Sequence, residues 1–227
     1  MPSGNAGRYA AEFIGTALLV FFAAGSVMAA SMVGGLPVPL IGGVASGLAL
    51  MVLIWCFVDI SGGHFNPALT VVLAVFGDFP KSRVLGYLAA QLAGSVAGAA
   101  LLYYALGPQA GMGANMPNAA LAISGSGAFI IECFLSFAMM LTIRAAFATG
   151  EQLRQFAAVP IGLVVGIEVM VMGPIAGAAM NPARAFGPYV FLGDWRHYWI
   201  YVLGPLVGIL LGGLVWDRLI CKASKPS

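Results

Sequence analysis

Charge is scarce in this chain. Of 227 residues only 8% are Asp, Glu, Lys or Arg while 61% are hydrophobic, and the mean hydropathy is +0.97. Soluble domains carry about a quarter charged residues, so the balance excludes a water-soluble globule and points to a polytopic membrane protein. The net charge of +2 is too small and too scattered for a nucleic-acid surface. There are two histidines, His64 and His197, and neither stands within a nucleophile or metal-ligand pattern. An enzyme is therefore not expected, and neither catalytic residues, a metal nor a cofactor is assigned. Cysteine is limited to Cys56, Cys133 and Cys221, an odd number with the first two inside apolar runs, so no disulfide framework follows. A secretory leader needs a cleavage site after a short apolar run; residues 9–31 are long enough to span and show no clear one, which makes them a first helix.

What is present is apolar length. Six segments reach the roughly 20 residues that a bilayer requires, at residues 9–31, 40–59, 84–106, 127–147, 157–173 and 198–220. Two further apolar stretches, 66–76 and 181–191, have about half that length and must dip in and return. Both begin with the same tripeptide, Asn66-Pro67-Ala68 and Asn181-Pro182-Ala183. Asparagine is a preferred N-cap and proline a preferred first helical residue, so each copy starts a helix. Two capped stubs at corresponding places suggest half-helices that meet at the membrane midplane. Irregular backbone at that depth is tolerated only against protein or a water-filled cavity, so the residues leading into each stub should line an aqueous path.

The two halves repeat each other. Glu12 in the first helix matches Glu132 in the fourth, and Ser61 to Leu69 matches Ala176 to Arg184. Three spans per half is an odd number, so the halves, about 1–112 and 118–227 of a single domain, should form an inverted repeat. An even number of spans puts both termini on one side, which would hold Arg8, Lys81, Arg83, Arg144, Arg154, Arg218, Lys222 and Lys225, eight of the ten basic residues. That side is expected to be cytoplasmic. The uncharged stretch 107–125 is the expected outside connector.

These motifs resemble those of the aquaporins, the major intrinsic protein family, over nearly the whole chain. The residues that carry the likeness are Ala11-Glu12-Phe13-Ile14-Gly15-Thr16, Ser61-Gly62-Gly63-His64-Phe65-Asn66-Pro67-Ala68, the run from Gly177 to Pro188, and Gly204-Pro205. The resemblance implies an all-α membrane fold of six transmembrane helices plus two re-entrant half-helices. It also implies a passive channel for water and small neutral solutes that excludes ions and protons, a standing example of selection by pore diameter and lining donors. In such a pore the donors would be Asn66 and Asn181. The facing carbonyls would be those of Gly62, Gly63, His64 and Phe65, and of Gly177, Ala178, Ala179 and Met180. Glu12 and Glu132 would support the bent lead-in segments, and each stub would aim about half a positive charge at the midplane.

Arg184, directly after the second motif, would be a second barrier at the outer mouth, since a buried guanidinium costs about 3 kcal/mol in hydrocarbon on insertion scales and is expected to face the path. The other filter walls implied are Ser46, Val169 and Ala178, with Ala45 or Gly47 leaving the opening as wide if the register shifts. Water-selective relatives carry an aromatic residue and a histidine at the first two places. The set here is similar to nodulin-26-like members, which pass glycerol, urea and undissociated boric, silicic or arsenous acid. The aspartate that follows the arginine in glycerol facilitators is replaced by Ala185. A homotetramer in the plasma membrane, with both termini cytoplasmic, is a further implication.

Three alternatives stay open. A water-selective channel would need a narrower filter. An ion-coupled transporter would use Asp59 and Glu168 as coupling groups, and a non-conducting scaffold would pass nothing. The ring of His64 is expected to pack against neighbours, with a pH gate as the other possibility. Gly43 and Gly47, Gly94 and Gly98, Gly162 and Gly166, and Gly208 and Gly212 have the spacing of close helix contacts, which packing within one subunit suffices to explain.

Overall fold

The computed structural model describes residues 4–221, all helix, turn and loop, with no strand among the described residues. The elements are α1 (Asn5–Val33), α2 (Val38–Ser61), α3 (Pro67–Phe76), α4 (Val84–Leu106), α5 (Gly125–Ala148), α6 (Glu151–Arg154), α7 (Ala158–Ala176), α8 (Pro182–Leu192) and α9 (Ile200–Val215). Six helices are long and apolar enough to cross a membrane, and α3 and α8, of 10 and 11 residues, are not. Both short helices stop at a glycine with positive φ, Gly77 at 85° and Gly193 at 75°, a backbone that glycine adopts without a Cβ penalty.

Helix seams are built from absent side chains. Where α2 meets α7, a Cβ added to Gly47 would lie 2.6 Å from the Gly162 carbonyl oxygen, and one added to Gly162 would lie 2.6 Å from that of Gly47. Gly94 and Gly98 of α4 press on the carbonyls of Phe13 and Ala17 in α1, and Gly208 of α9 presses on that of Cys133 in α5. Lipid tails are as apolar as leucine, so helices in a bilayer cohere through such close backbone approach. The glycine pairs therefore work between helices of this one chain. Large apolar side chains such as Trp55, Leu85, Tyr104, Phe134 and Ile167 point outward, while Glu12, Gln91, Ser95, Glu132 and Glu168 are buried.

Helix ends depart from the hydropathy reading in an instructive way. The first span runs from Asn5 to Val33 instead of 9–31, because a helix continues into the polar interface after its apolar stretch ends. The fifth does not stop before Pro174 but continues to Ala176. Its terminal carbonyls find donors: Asn118 gives its Nδ2 to the Pro174 oxygen at 2.8 Å and its backbone N–H to that of Ile175 at 3.0 Å. The last span is α-helical to Val215 and then relaxes into a π turn at Trp216–Ile220.

Part of the connector between α4 and α5 folds back into the bundle, with Met112 fully buried beside Ala24, Met28 and Leu102. At the opposite end Arg144 reaches Asp78 at 2.8 Å and Asp217 at 3.2 Å and sits over the Phe76 ring, tying the end of α3 to α5 and the last turn. On the exposed loop after α8, Arg196 pairs with Asp194 at 2.6 Å and holds its carboxyl well below the usual carboxylate range, at about 2. Of the basic residues used for orientation, Lys222 and Lys225 lie outside the described residues.

Candidate functional site

The two stubs meet head to head. Asn66 Oδ1 accepts the N–H groups of Ala68 and Leu69 at 3.0 and 3.3 Å, and Asn181 Oδ1 accepts those of Ala183 and Arg184 at 2.9 and 3.2 Å. Because the oxygen of each amide is spent on its own helix, the nitrogen must point away from it. Asn66 Nδ2 donates to the Met180 carbonyl at 2.9 Å and Asn181 Nδ2 to the Phe65 carbonyl at 2.8 Å. Each amide nitrogen keeps a second hydrogen, and both asparagines border the central cavity.

Two buried carboxyls shape the lead-in backbone. Glu12 accepts the His64 and Phe65 N–H groups at 3.0 and 2.7 Å, and also Ser61 Oγ and Gln91 Nε2, both at 2.7 Å. Glu132 accepts the Ala179 and Met180 N–H groups, both at 2.8 Å. Tyr87 donates to the Ser61 carbonyl and Tyr201 to the Ala176 carbonyl, each at 2.7 Å, fixing the last residue of α2 and of α7 in the same manner. The N–H groups of His64, Phe65, Ala179 and Met180 are thereby committed to the two carboxyls. Phe65, Ala178 and Met180 adopt positive φ of 46°, 49° and 52°, a strain of about 1–3 kcal/mol each that the surrounding bonds must offset.

A cavity of about 1090 Å³ runs through this region. Asp59, Asp78, Arg144 and Arg154 border one end, Gly62, Gly63, His64 and the two asparagines the middle, and Ser46, Val169, Ala178 and Arg184 the other end. Ser46 and Asp59 are 13 residues apart on α2, a rise of about 20 Å, so the passage covers most of the hydrocarbon depth. A second cavity of about 170 Å³ continues outward past Asn115, Met116, Val38 and Pro39. Only Val169 and Arg184 border both, which marks the constriction between them. The lining is mixed in character, with apolar Leu19, Leu50, Ile54, Leu69 and Val165 beside Ala178 to Asn181 and the amide of Asn66.

Most of the sequence-derived positions come together here, with differences. Phe65 does not border the cavity, since its ring is core and pressed on Gly15; its carbonyl accepts Asn181 Nδ2, just as that of Met180, which does border the cavity, accepts Asn66 Nδ2. Gly177 borders the outer cavity, and its carbonyl accepts Asn115 Nδ2 at 2.7 Å. The His64 ring meets Phe79 edge-on and Tyr87 at a tilt, and its Nδ1 lies 3.0 Å from Thr70 Oγ1. Thr70 gives its hydroxyl proton to the Asn66 carbonyl, so Nδ1 must carry the hydrogen of that contact. Asp59 is exposed at one end of the passage, whereas Glu168 is buried away from it with no partner on either oxygen. The structure offers no account of Glu168 and does not bring it together with Asp59 as a coupling pair.

Residues that sequence reasoning did not single out are Gln91, Tyr87, Tyr201, Ser95 and Asn115. Gln91 carried a signal, being a lone amide inside an apolar helix. Ser95 accepts the Gly187 N–H at 2.7 Å and donates to the Ala183 carbonyl, tying α4 to α8.

Comparison with known proteins agrees with this geometry. The family model for major intrinsic proteins (MIP) matches residues 3–216. The chain is 37% identical to aquaporin NIP4-1 of Arabidopsis thaliana over 219 residues, covering 95% of this chain and 75% of that protein. It is 37% identical to aquaporin TIP2-1 of the same plant over 224 residues, covering 96% and 88%. The fold is similar to the X-ray structure of the aquaglyceroporin from Plasmodium falciparum, with a TM-score of 0.83 at 23% identity over 97% of this chain and 98% of that one. The chain thus belongs to the major intrinsic protein family, with nodulin-26-like relatives, and is a multi-pass passive channel for water and small neutral solutes rather than an enzyme.

Proposed function

We propose that the constriction formed by Ser46, Val169, Ala178 and Arg184 is a wide filter that admits glycerol, urea and undissociated metalloid acids such as boric, silicic or arsenous acid along with water. One observation carries this reading: three of the four side chains bordering that end of the passage are small, with no aromatic ring or imidazole among those four. A polyol needs an apolar wall for its C–H edge and polar groups for its hydroxyls. Leu50, Ile54 and Val165 provide the first, and Asn66, Asn181, Arg184 and the carbonyls of Ala178 and Ala179 provide the second. The asparagine donors and the two stub dipoles disfavour cations at the midplane, and Arg184 disfavours them again at the filter.

The paired roles of Glu12 and Glu132, Tyr87 and Tyr201, and Asn66 and Asn181 support the inverted-repeat reading of halves 1–112 and 118–227. The basic residues beside the Asp59 end of the passage support cytoplasmic termini. Assembly as a homotetramer in the plasma membrane belongs to the same proposal and rests on the family resemblance.

Stopped-flow light scattering of reconstituted vesicles tests the filter with sucrose, glycerol, urea and boric acid as successive osmolytes. Shrinkage followed by fast reswelling is expected for the last three, without dependence on an ion gradient. Stable shrinkage in glycerol, urea and boric acid would mean a water-selective pore and would end the proposal.

A further inference from the structure

Asn115 is 3% exposed, although it belongs to a connector between two spans. Its Oδ1 accepts Arg184 Nη1 at 2.7 Å, its Nδ2 donates to the Gly177 carbonyl at 2.7 Å, and its own carbonyl accepts the Tyr189 hydroxyl at 2.8 Å. The other hydrogen of Arg184 Nη1 goes to the Gly113 carbonyl at 2.9 Å. Gly113 in turn is wedged against α1, where a Cβ would lie 2.5 Å from the Ala24 oxygen. The connector is therefore seated firmly before it meets the arginine.

A guanidinium has five N–H groups in a rigid fork. Two are consumed by Gly113 and Asn115, which leaves Nε and Nη2 for whatever passes. The same side chain that holds the fork also holds the carbonyl of Gly177, so one amide sets the distance between the guanidinium and the lead-in backbone. Asparagine does this without charge. A carboxylate in that place would still grip the fork, but it would set an acceptor against the Gly177 carbonyl and cancel the field of the guanidinium.

We infer that Asn115 is a positioning residue of the filter, an uncharged clamp on Arg184 that sets the ratio of glycerol to water permeability and leaves the cationic barrier intact. The inference rests on the filter reading above. Freed from the clamp, the guanidinium moves into the opening and hinders the wider solute more than water.

The test compares Asn115→Ala, Asn115→Ser and Asn115→Asp with the unaltered chain and with Arg184→Ala, all in phosphatidylcholine vesicles. Water and glycerol permeabilities come from light scattering and proton leak from an entrapped pH dye. Losing a charge-assisted hydrogen bond should lower the glycerol-to-water ratio about threefold or more in the Ala and Ser variants. Asp keeps the bond to Arg184 but not the one to Gly177, so it should lower the ratio less than Ala does while raising the proton leak, a split that a purely structural role would not produce. Should the Ala variant fail to fold, the Ser variant carries the comparison. Proportional losses of both permeabilities, or an unchanged ratio while Arg184→Ala alters it, overturn the clamp and leave the filter standing. An unchanged ratio in Arg184→Ala as well would remove the filter reading itself.

Discussion

Asn66 and Asn181 each donate to the carbonyl that immediately precedes the other. The chain thereby ties its two stubs through a reciprocal pair of bonds, 2.9 and 2.8 Å long, at the place where both helix N-termini converge. Neither asparagine can leave without uncapping its own helix and releasing the opposite lead-in segment.

Replacing Asn181 with alanine should therefore be costly twice. The cap contributes about 1 kcal/mol and the cross-bond about another 1 kcal/mol. A fall in the thermal unfolding midpoint of the detergent-solubilised protein, with loss of water flux, is expected; an unchanged midpoint would show that the clasp adds nothing to stability.

At the filter, Ser46→Trp narrows the opening. Glycerol and boric acid flux should drop at least about tenfold, equivalent to about 1.4 kcal/mol on the barrier, while water flux falls far less. Equal losses for every solute would remove Ser46 from the constriction.

Glu132→Gln keeps shape but swaps an acceptor for a donor facing an N–H group. Either Ala179 or Met180 then loses its partner, at about 1–3 kcal/mol. Water permeability per channel should decline, measured against protein content of the vesicles, and a wild-type rate would show that the carboxyl is not what aims the carbonyls.

Glu168 is the contrasting case, a buried carboxyl with no partner and no place on the passage wall. Glu168→Gln should leave water and glycerol flux within about twofold of the original, since nothing that conducts is bonded to it. Abolished flux, or uptake that becomes tied to a proton gradient in the unaltered chain, would revive the ion-coupled reading.

At the α2 and α7 seam, Gly47→Leu inserts bulk where not even a Cβ fits. Overpacking of this kind costs about 1–3 kcal/mol or more, and the expression level and unfolding midpoint should both fall. A variant as stable as the original would mean that the seam can open.

Much of this architecture is legible in the chain because membranes write it in bulk composition. Apolar length marks the spans, and Asn66-Pro67 and Asn181-Pro182 mark helix starts through cap chemistry that is local. Ser46, Val169 and Ala178 followed from the family resemblance and lie with Arg184 at one end of the cavity. What stayed hidden is partner choice across the fold. Nothing near Asn115 in sequence says that its amide ends beside Arg184, 69 residues away, nor does the neighbourhood of Tyr87 reveal the carbonyl of Ser61. The overshoot past Pro174 has the same origin, since only a folded connector brings Asn118 to the carbonyls that the helix end leaves open.

The glycine seams divide the molecule's tolerance for change into two zones. Its outer flanks meet fluid lipid, where one greasy residue substitutes for another at little cost, and sequence drift there should be wide. Along the seams even a single methyl has nowhere to go, so the inner lattice of glycines is the part of this channel that evolution or a designer can least afford to touch.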